Sequence, residues 1–292
     1  MTTRLLAWLG AVPQEGEAPN LGEMILHHVT DSHVLEIPFV GAVELPRWEP
    51  IRLGPLLLDL SPTKHAVFLL LAAVLCAAVL IWTARRTHPR AAERAPRGLA
   101  NLIEAFVIYL RDEVALANIG PGGERYVPYV LTLFFFILFA NLLGLVPGGA
   151  TPTGNLSVTA ALALISLVVI EVSGLLTLGL KGYARTIFYA PEGMPRWGQA
   201  LMLLIMTPVE LLGKVAKPFA LAIRLFANMT AGHFVLLSLI GLIFVAGALW
   251  GAVAPVVMAI AIMLLEVFVA FLQAYIFAML TSVFIGLIRH AH

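Results

Sequence analysis

The chain has 292 residues, 60% of them hydrophobic and only 12% charged, with a formal net charge of +1. Soluble globular domains run at about 45–50% apolar and about 25% charged, so there is too little polar surface here to cover a water-soluble body, and a disordered or collagen-like chain is excluded as well. The net charge offers no field to steer nucleic acid, and the single cysteine, Cys76, excludes an internal disulfide or a thiolate metal centre. The class is an all-α polytopic membrane protein.

Residues 1–63 hold eight acids against three bases and form an N-terminal segment ahead of the first long apolar run. The short run from Leu5 to Val12 fits either a cleaved leader or an interfacial anchor. His27, His28 and His33 with Asp31 read as a polar terminal segment rather than a metal cluster. A membrane span needs about 20 mostly apolar residues. The first falls over 64–84. Residues 98–118 alternate apolar and polar at helical spacing, with Leu99, Leu102, Ile103 and Phe106 against Asn101, Glu104 and Asp112, which predicts an amphipathic surface helix. Two further spans fall over 125–147 and 156–181, the second carrying Glu171. From Leu225 to Leu265 there is no Asp, Glu, Lys or Arg, and those 41 residues are too many for one upright crossing. Gly241, Gly247, Gly251 and Pro255 mark the place for a reversal. Two long helices over 199–247 and 254–288 are therefore expected as a tilted or broken hairpin. Residues 64–292 form one membrane domain of five crossings.

Charge asymmetry predicts the orientation. The loop 85–97 holds five arginines against Glu93, and the loop 181–196 holds Lys181, Arg185 and Arg196 against Glu192. With both loops in the cytoplasm, the N-terminus lies outside and the C-terminus inside.

Ionisable groups at membrane depth are costly and mark pathways or pairs. Glu210, Lys214, Lys217, Leu221, Arg224 and Asn228 follow one another at steps of four or three, which is one face of one helix. Glu210 and Lys214 are spaced to pair along the helix. Arg224 cannot discharge, since a guanidinium pKa exceeds about 12, and it has no acid within a turn. It needs a carboxylate from another segment or another subunit. His233 is nine residues further on, roughly on the opposite side of the helix, and can exchange protons near neutral pH. Glu266 and Gln273 share a face of the last helix. In a hairpin Glu266 is a natural partner for His233, and Glu171 is positioned to join them. Asn155, Ser157 and Thr159 offer a continuation of a wet path, although Ser and Thr in membrane helices commonly bond their own backbone. A fixed cation beside proton-exchanging groups suits proton translocation. The rivals are an ion-coupled secondary transporter, which would bring inverted repeats and broken helices, and a structural scaffold, which leaves a buried Arg without a purpose. No nucleotide, zinc or nucleophile motif is present, so no cofactor, metal or catalytic residue is expected.

The run Pro208-Val-Glu-Leu-Leu-Gly-Lys-Val-Ala-Lys-Pro218, then Ala222-Ile-Arg-Leu-Phe-Ala-Asn-Met-Thr-Ala-Gly-His233, closely resembles subunit a of F-type ATP synthases, as do Glu266 and Leu272-Gln-Ala-Tyr-Ile-Phe277. The resemblance spans about 60–290. It implies a non-catalytic, proton-conducting stator subunit of the Fo sector in the bacterial inner membrane, with two offset half-channels that load and unload a ring of c subunits. Arg224 matches the arginine that faces the ring carboxylate, and Asn228 the asparagine one turn on. Glu210 matches the polar stripe of the cytoplasmic half-channel, and Gln273 the glutamine facing the arginine. His233 and Glu266 match the outer half-channel pair, with acid and histidine exchanged relative to some members. Glu171, Asn155 and Ser157 join this set as additional polar positions. The implied partners are the c ring, the b-type peripheral stalk, the rest of the synthase and the bilayer.

Overall fold

The structure, a computed structural model, describes residues 30–37, 41–49, 51–53, 56–59, 61–86, 98–146, 149–188, 195–245 and 249–290. The arginine-rich stretch 87–97, His27, His28 and Gly247 lie outside the described residues.

Among the described residues, two short antiparallel ribbons come before the long helices. β1 (Val34–Ile37) pairs with β2 (Gly41–Glu44) in the register Val34↔Glu44, and β3 (Ile51–Leu53) pairs with β4 (Leu56–Leu58). Six long helical elements follow: α1 (Lys64–Arg86), α2 (Leu99–Tyr109), α3 (Val127–Gly144), α4 (Leu156–Ile187), α5 (Arg196–Val245) and α6 (Leu249–Arg289). Among the described residues, five helices are long and apolar enough to cross a membrane, all of these except α2. The chain is an all-α polytopic membrane protein. Leu70, Leu164, Leu176, Leu204 and Leu264 are among its exposed side chains, an outer surface that lipid covers and water would not.

Helix α2 buries Ala100 and Ile103 and continues through a π-helical turn, Leu110–Leu116, that buries Leu110, Val114 and Ala115. Arg111 in that turn is exposed and Asp112 half-buried. Arg111 Nε donates to Asp112 Oδ1 at 2.7 Å, and that bond holds the Asp112 carboxyl below the usual carboxylate range.

The long helices are interrupted where their sequences require it. In α4, Gly179 takes φ 67 and ψ 171 and breaks the helix, a backbone setting at which a side chain would be strained. Helix α5 has 50 residues, about 75 Å of helix, with Pro208 and Pro218 inside it. Each proline lacks the N–H that would bond four residues back, so the carbonyls of Leu204 and Lys214 are released and the helix can bend. The reversal after α5 is tighter than its glycines suggest. Gly241 lies within α5, and α6 starts at Leu249, so Gly251 and Pro255 lie inside its first turns.

Packing divides the chain into two units: Met1–Ala78, Phe136–Asn155 and Leu225–Gln273 make the first, and Val79–Phe135, Leu156–Arg224 and Ala274–His292 the second. In the first, the fully buried Asn141 donates to the Ala270 carbonyl at 3.2 Å and accepts from Thr153 Oγ1 at 2.6 Å, tying α3 to α6. In the second, Val130, Phe134, Phe277, Ala278 and Ile285 form the core. A β-carbon at Gly286 would collide with the Asn118 carbonyl, so the missing side chain is what lets α6 approach the end of the surface helix. Arg289 closes that end by donating to the Pro121 carbonyl at 2.8 Å and to Thr177 Oγ1 at 3.2 Å.

Candidate functional site

The polar residues gather in two clusters, one in each unit. In the first unit, His233 on α5 shares a hydrogen bond between its Nε2 and Thr151 Oγ1. Thr151 stands just before a short 3-10 turn, Pro152–Gly154. A β-carbon at Gly144 would collide with Thr151 Oγ1, so the end of α3 must be bare for this loop to reach His233. Glu266 on α6 is buried, and its Oε1 lies against Gly232, where a β-carbon would overlap it. Glu266 Oε2 has no hydrogen-bond partner among the described residues. The Glu266 carboxyl packs on the glycine next to His233, and the imidazole bonds Thr151. One turn before this, Asn228 Nδ2 donates to Gln273 Oε1 at 3.1 Å. Gln273 is buried, and its Nε2 has no partner among the described residues.

Of the other polar groups expected on this path, Asn155 donates from Nδ2 to Asp31 Oδ2 at 3.3 Å, and Ser157 is exposed. Thr159 bonds the Leu156 carbonyl of its own helix at 3.1 Å. His33 Nδ1 bonds the Pro62 carbonyl at 3.1 Å.

The second unit holds Glu171, Tyr183 and Lys214. Lys214 Nζ donates to Glu171 Oε2 at 3.0 Å and to Tyr183 Oη at 3.1 Å, and the Tyr183 hydroxyl donates to the same Glu171 oxygen. Two expectations change here. Lys214 pairs with Glu171 on α4 rather than with Glu210 four residues before it, and Glu171 belongs to this cluster rather than beside His233. The physical reason is the break at Gly179. Glu171 and Tyr183 are twelve residues apart, about 18 Å along an unbroken helix, so their side chains meet only because the chain turns between them. The carboxylate then offers Lys214 a partly buried partner, whereas an exposed i,i+4 pair is worth only about 0.3–0.5 kcal/mol. Glu171, Glu210, Lys214 and Lys217 line one cavity of about 110 Å³, with Phe284, Leu287 and Ile288. Lys217 Nζ stands 5.1 Å from the centre of the Phe284 ring.

Arg224 lies on α5 between Glu210 and His233 in sequence. It is exposed, while Leu221 and Leu225 on either side of it are buried. No ion pair joins it to an acid among the described residues. Ala220, Ala227, Asn228 and Ala231 are exposed along the same helix, so the guanidinium projects from a strip of small side chains.

Sequence reasoning did not single out Thr151, Asn141, Thr153 or Tyr183. Thr151 and Thr153 fall in an uncharged connection whose Thr-Pro-Thr-Gly composition reads as a turn. Asn141 was the available signal, an amide inside an otherwise apolar span. Among the described residues, no group of three or more His, Cys, Asp or Glu could hold a metal ion.

Comparison with known proteins now adds an independent finding. Residues 66–286 match the family model described as ATP synthase A chain. The chain is 45% identical over 288 residues to ATP synthase subunit a of Anaeromyxobacter dehalogenans, covering 94% of this chain and 73% of that one. It is 43% identical over 267 residues to ATP synthase subunit a 2 of Chlorobaculum tepidum, covering 91% and 72%. It is 44% identical over 262 residues to ATP synthase subunit a of Chloroherpeton thalassium, covering 90% and 75%. With the five apolar helices and the polar clusters they carry, these likenesses make the chain a member of the ATP synthase A chain family.

Proposed function

We propose that this chain is the proton-conducting stator subunit of the Fo sector, working against a ring of c subunits and held by the b-type peripheral stalk. It is not itself catalytic; ATP chemistry belongs to other subunits of the complex. It lies in the bacterial inner membrane, N-terminus outside and C-terminus in the cytoplasm, the orientation that arginine-rich loops favour. The proton is the cargo. It enters from outside through the cluster of Thr151, His233 and Glu266, with Asn155 and Ser157 toward the surface. It then passes to a ring carboxylate. After the ring has turned, it leaves through the second cluster past Glu210, with Glu171 alongside. Asn228 and Gln273 hold α5 to α6 next to the transfer point.

The observation that carries this reading is Arg224. An exposed guanidinium without an acidic partner among the described residues, in a span of a membrane protein, requires a partner carboxylate. A charge near the centre of a span costs about 2.5–3.5 kcal/mol, which a carboxylate arriving on the ring offsets. The alanines around Arg224 allow a ring helix to come close. Lying between Glu210 and His233 in sequence, the fixed positive charge stabilises the deprotonated ring carboxylate and repels a proton crossing directly. In the assembled synthase, Arg224→Ala is expected to reduce proton-driven ATP synthesis to background. Synthesis at the unmutated rate in a fully assembled variant would overturn the assignment.

A further inference from the structure

The N-terminal segment and α1 bring a second titratable pair to the cavity that holds His233. Asp31 Oδ1 lies 3.0 Å from His65 Nδ1, at ion-pair distance but without hydrogen-bond geometry, and accepts the His65 backbone N–H at 3.3 Å. The Asp31 side chain is 29% exposed and that of His65 only 5%, so the pair runs from the surface inward. His65 then shares the lining of a cavity of about 20 Å³ with Thr151, Thr230 and His233. A site of about 10–15 Å³ holds one water, provided that two to four polar groups surround it. Thr230 supplies an independent sign of such an occupant. Its hydroxyl is buried and has no hydrogen-bond partner among the described residues, a cost that a water would remove.

Resting on the reading above, we propose that His65, held by Asp31, is an additional proton-transfer station that feeds His233 across this one-water cavity. The neutral His65 imidazole takes a proton from the Asp31 side and becomes imidazolium. It gives a proton to the cavity water, which passes one of its own to His233, so only N–H and O–H bonds form and break. His65 and the water return to their starting charge, His233 becomes imidazolium until it passes the proton on, and the Asp31 side is replenished from the outer solution. Among the described residues, the charged and titratable groups around the imidazole are Asp31 from the N-terminal segment, Lys64 on the same helix and His233 on α5. In this arrangement the N-terminal segment is part of the conducting path and not only an anchor.

The test uses the whole synthase in proteoliposomes, with ATP synthesis followed as a function of pH on the loading side. His65→Gln keeps a hydrogen-bonding side chain of similar reach but cannot titrate. It is expected to slow synthesis threefold to tenfold and to flatten the loading-side pH profile, with imidazole added on that side restoring the rate. Asp31→Asn is expected to change the profile in the same sense. An unmutated rate and profile in His65→Gln overturns the proposal. So does a slowed rate with an unchanged profile that imidazole does not restore, since that marks a clamp on the N-terminal segment. Failure of the stator reading itself shows separately, as ATP synthesis surviving in Arg224→Ala.

Discussion

At the scale of single residues, Gly232 shows how the site depends on an absent side chain. Glycine inside a helix costs about 1 kcal/mol relative to alanine, so its presence needs a reason, and the reason is Glu266 Oε1 packed against its Cα. Gly232→Ala would improve the local helix and push the carboxyl away from its place beside His233. A displaced buried carboxyl costs on the order of 1–3 kcal/mol, and the expected result is a 5- to 150-fold loss of proton-driven ATP synthesis at about that range of energies, with assembly retained. Measuring the rate in purified, assembled complex checks it. The sequence makes some of these residues conspicuous and hides others. Arg224, His233 and Glu266 stand out because each is an ionisable group in a long apolar run. Thr151 does not, because an uncharged threonine in a Thr-Pro-Thr-Gly turn is ordinary in sequence, and its partner His233 is 82 residues away. The buried amide of Asn141 is intermediate: it is visible as a polar group in α3, but only the fold shows that it holds Thr153 and the Ala270 carbonyl.

At the scale of elements, the break in α4 decides the chemistry of the second cluster. Gly179 at φ 67 folds Tyr183 back onto Glu171, and Lys214 completes the group. A side chain at Gly179 in this backbone setting, a region that essentially only glycine adopts, costs roughly 1–3 kcal/mol. Gly179→Ala is therefore expected either to straighten the turn and release Lys214 from Glu171 or to keep the turn at a lower thermal stability. Both outcomes lower the melting temperature of the purified complex, and an unchanged melting temperature would contradict the argument. Periodicity could not have revealed this arrangement. The i,i+4 spacing of Glu210 and Lys214 satisfies a helix rule, and the rule names the wrong partner because it sees one helix at a time. The turn between α5 and α6 has a similar explanation. Its glycines and Pro255 mark a region of weak helix preference, yet α6 starts at Leu249, since one proline near a helix start costs less than exposing more backbone to lipid.

At the scale of the whole molecule, hydropathy alone is enough to find five membrane-crossing helices, because lipid admits almost no other backbone arrangement for such stretches. The ribbons β1–β2 and β3–β4 escaped the same reading. Their strands are three or four residues long, too short for an alternating pattern to declare itself. Pairing between distant segments, such as Asp31 with His65, is likewise a property of the fold. The functional account rests on the separation of two polar clusters along α5, with Arg224 between them in sequence as the barrier. Its most direct test is proton leakage, measured as the decay of an imposed pH gradient in vesicles carrying the assembled synthase with Arg224→Ala. The account predicts a gradient that collapses faster than in vesicles with the unmutated complex while no ATP is made. A variant that holds its gradient and synthesises ATP at the unmutated rate would contradict it.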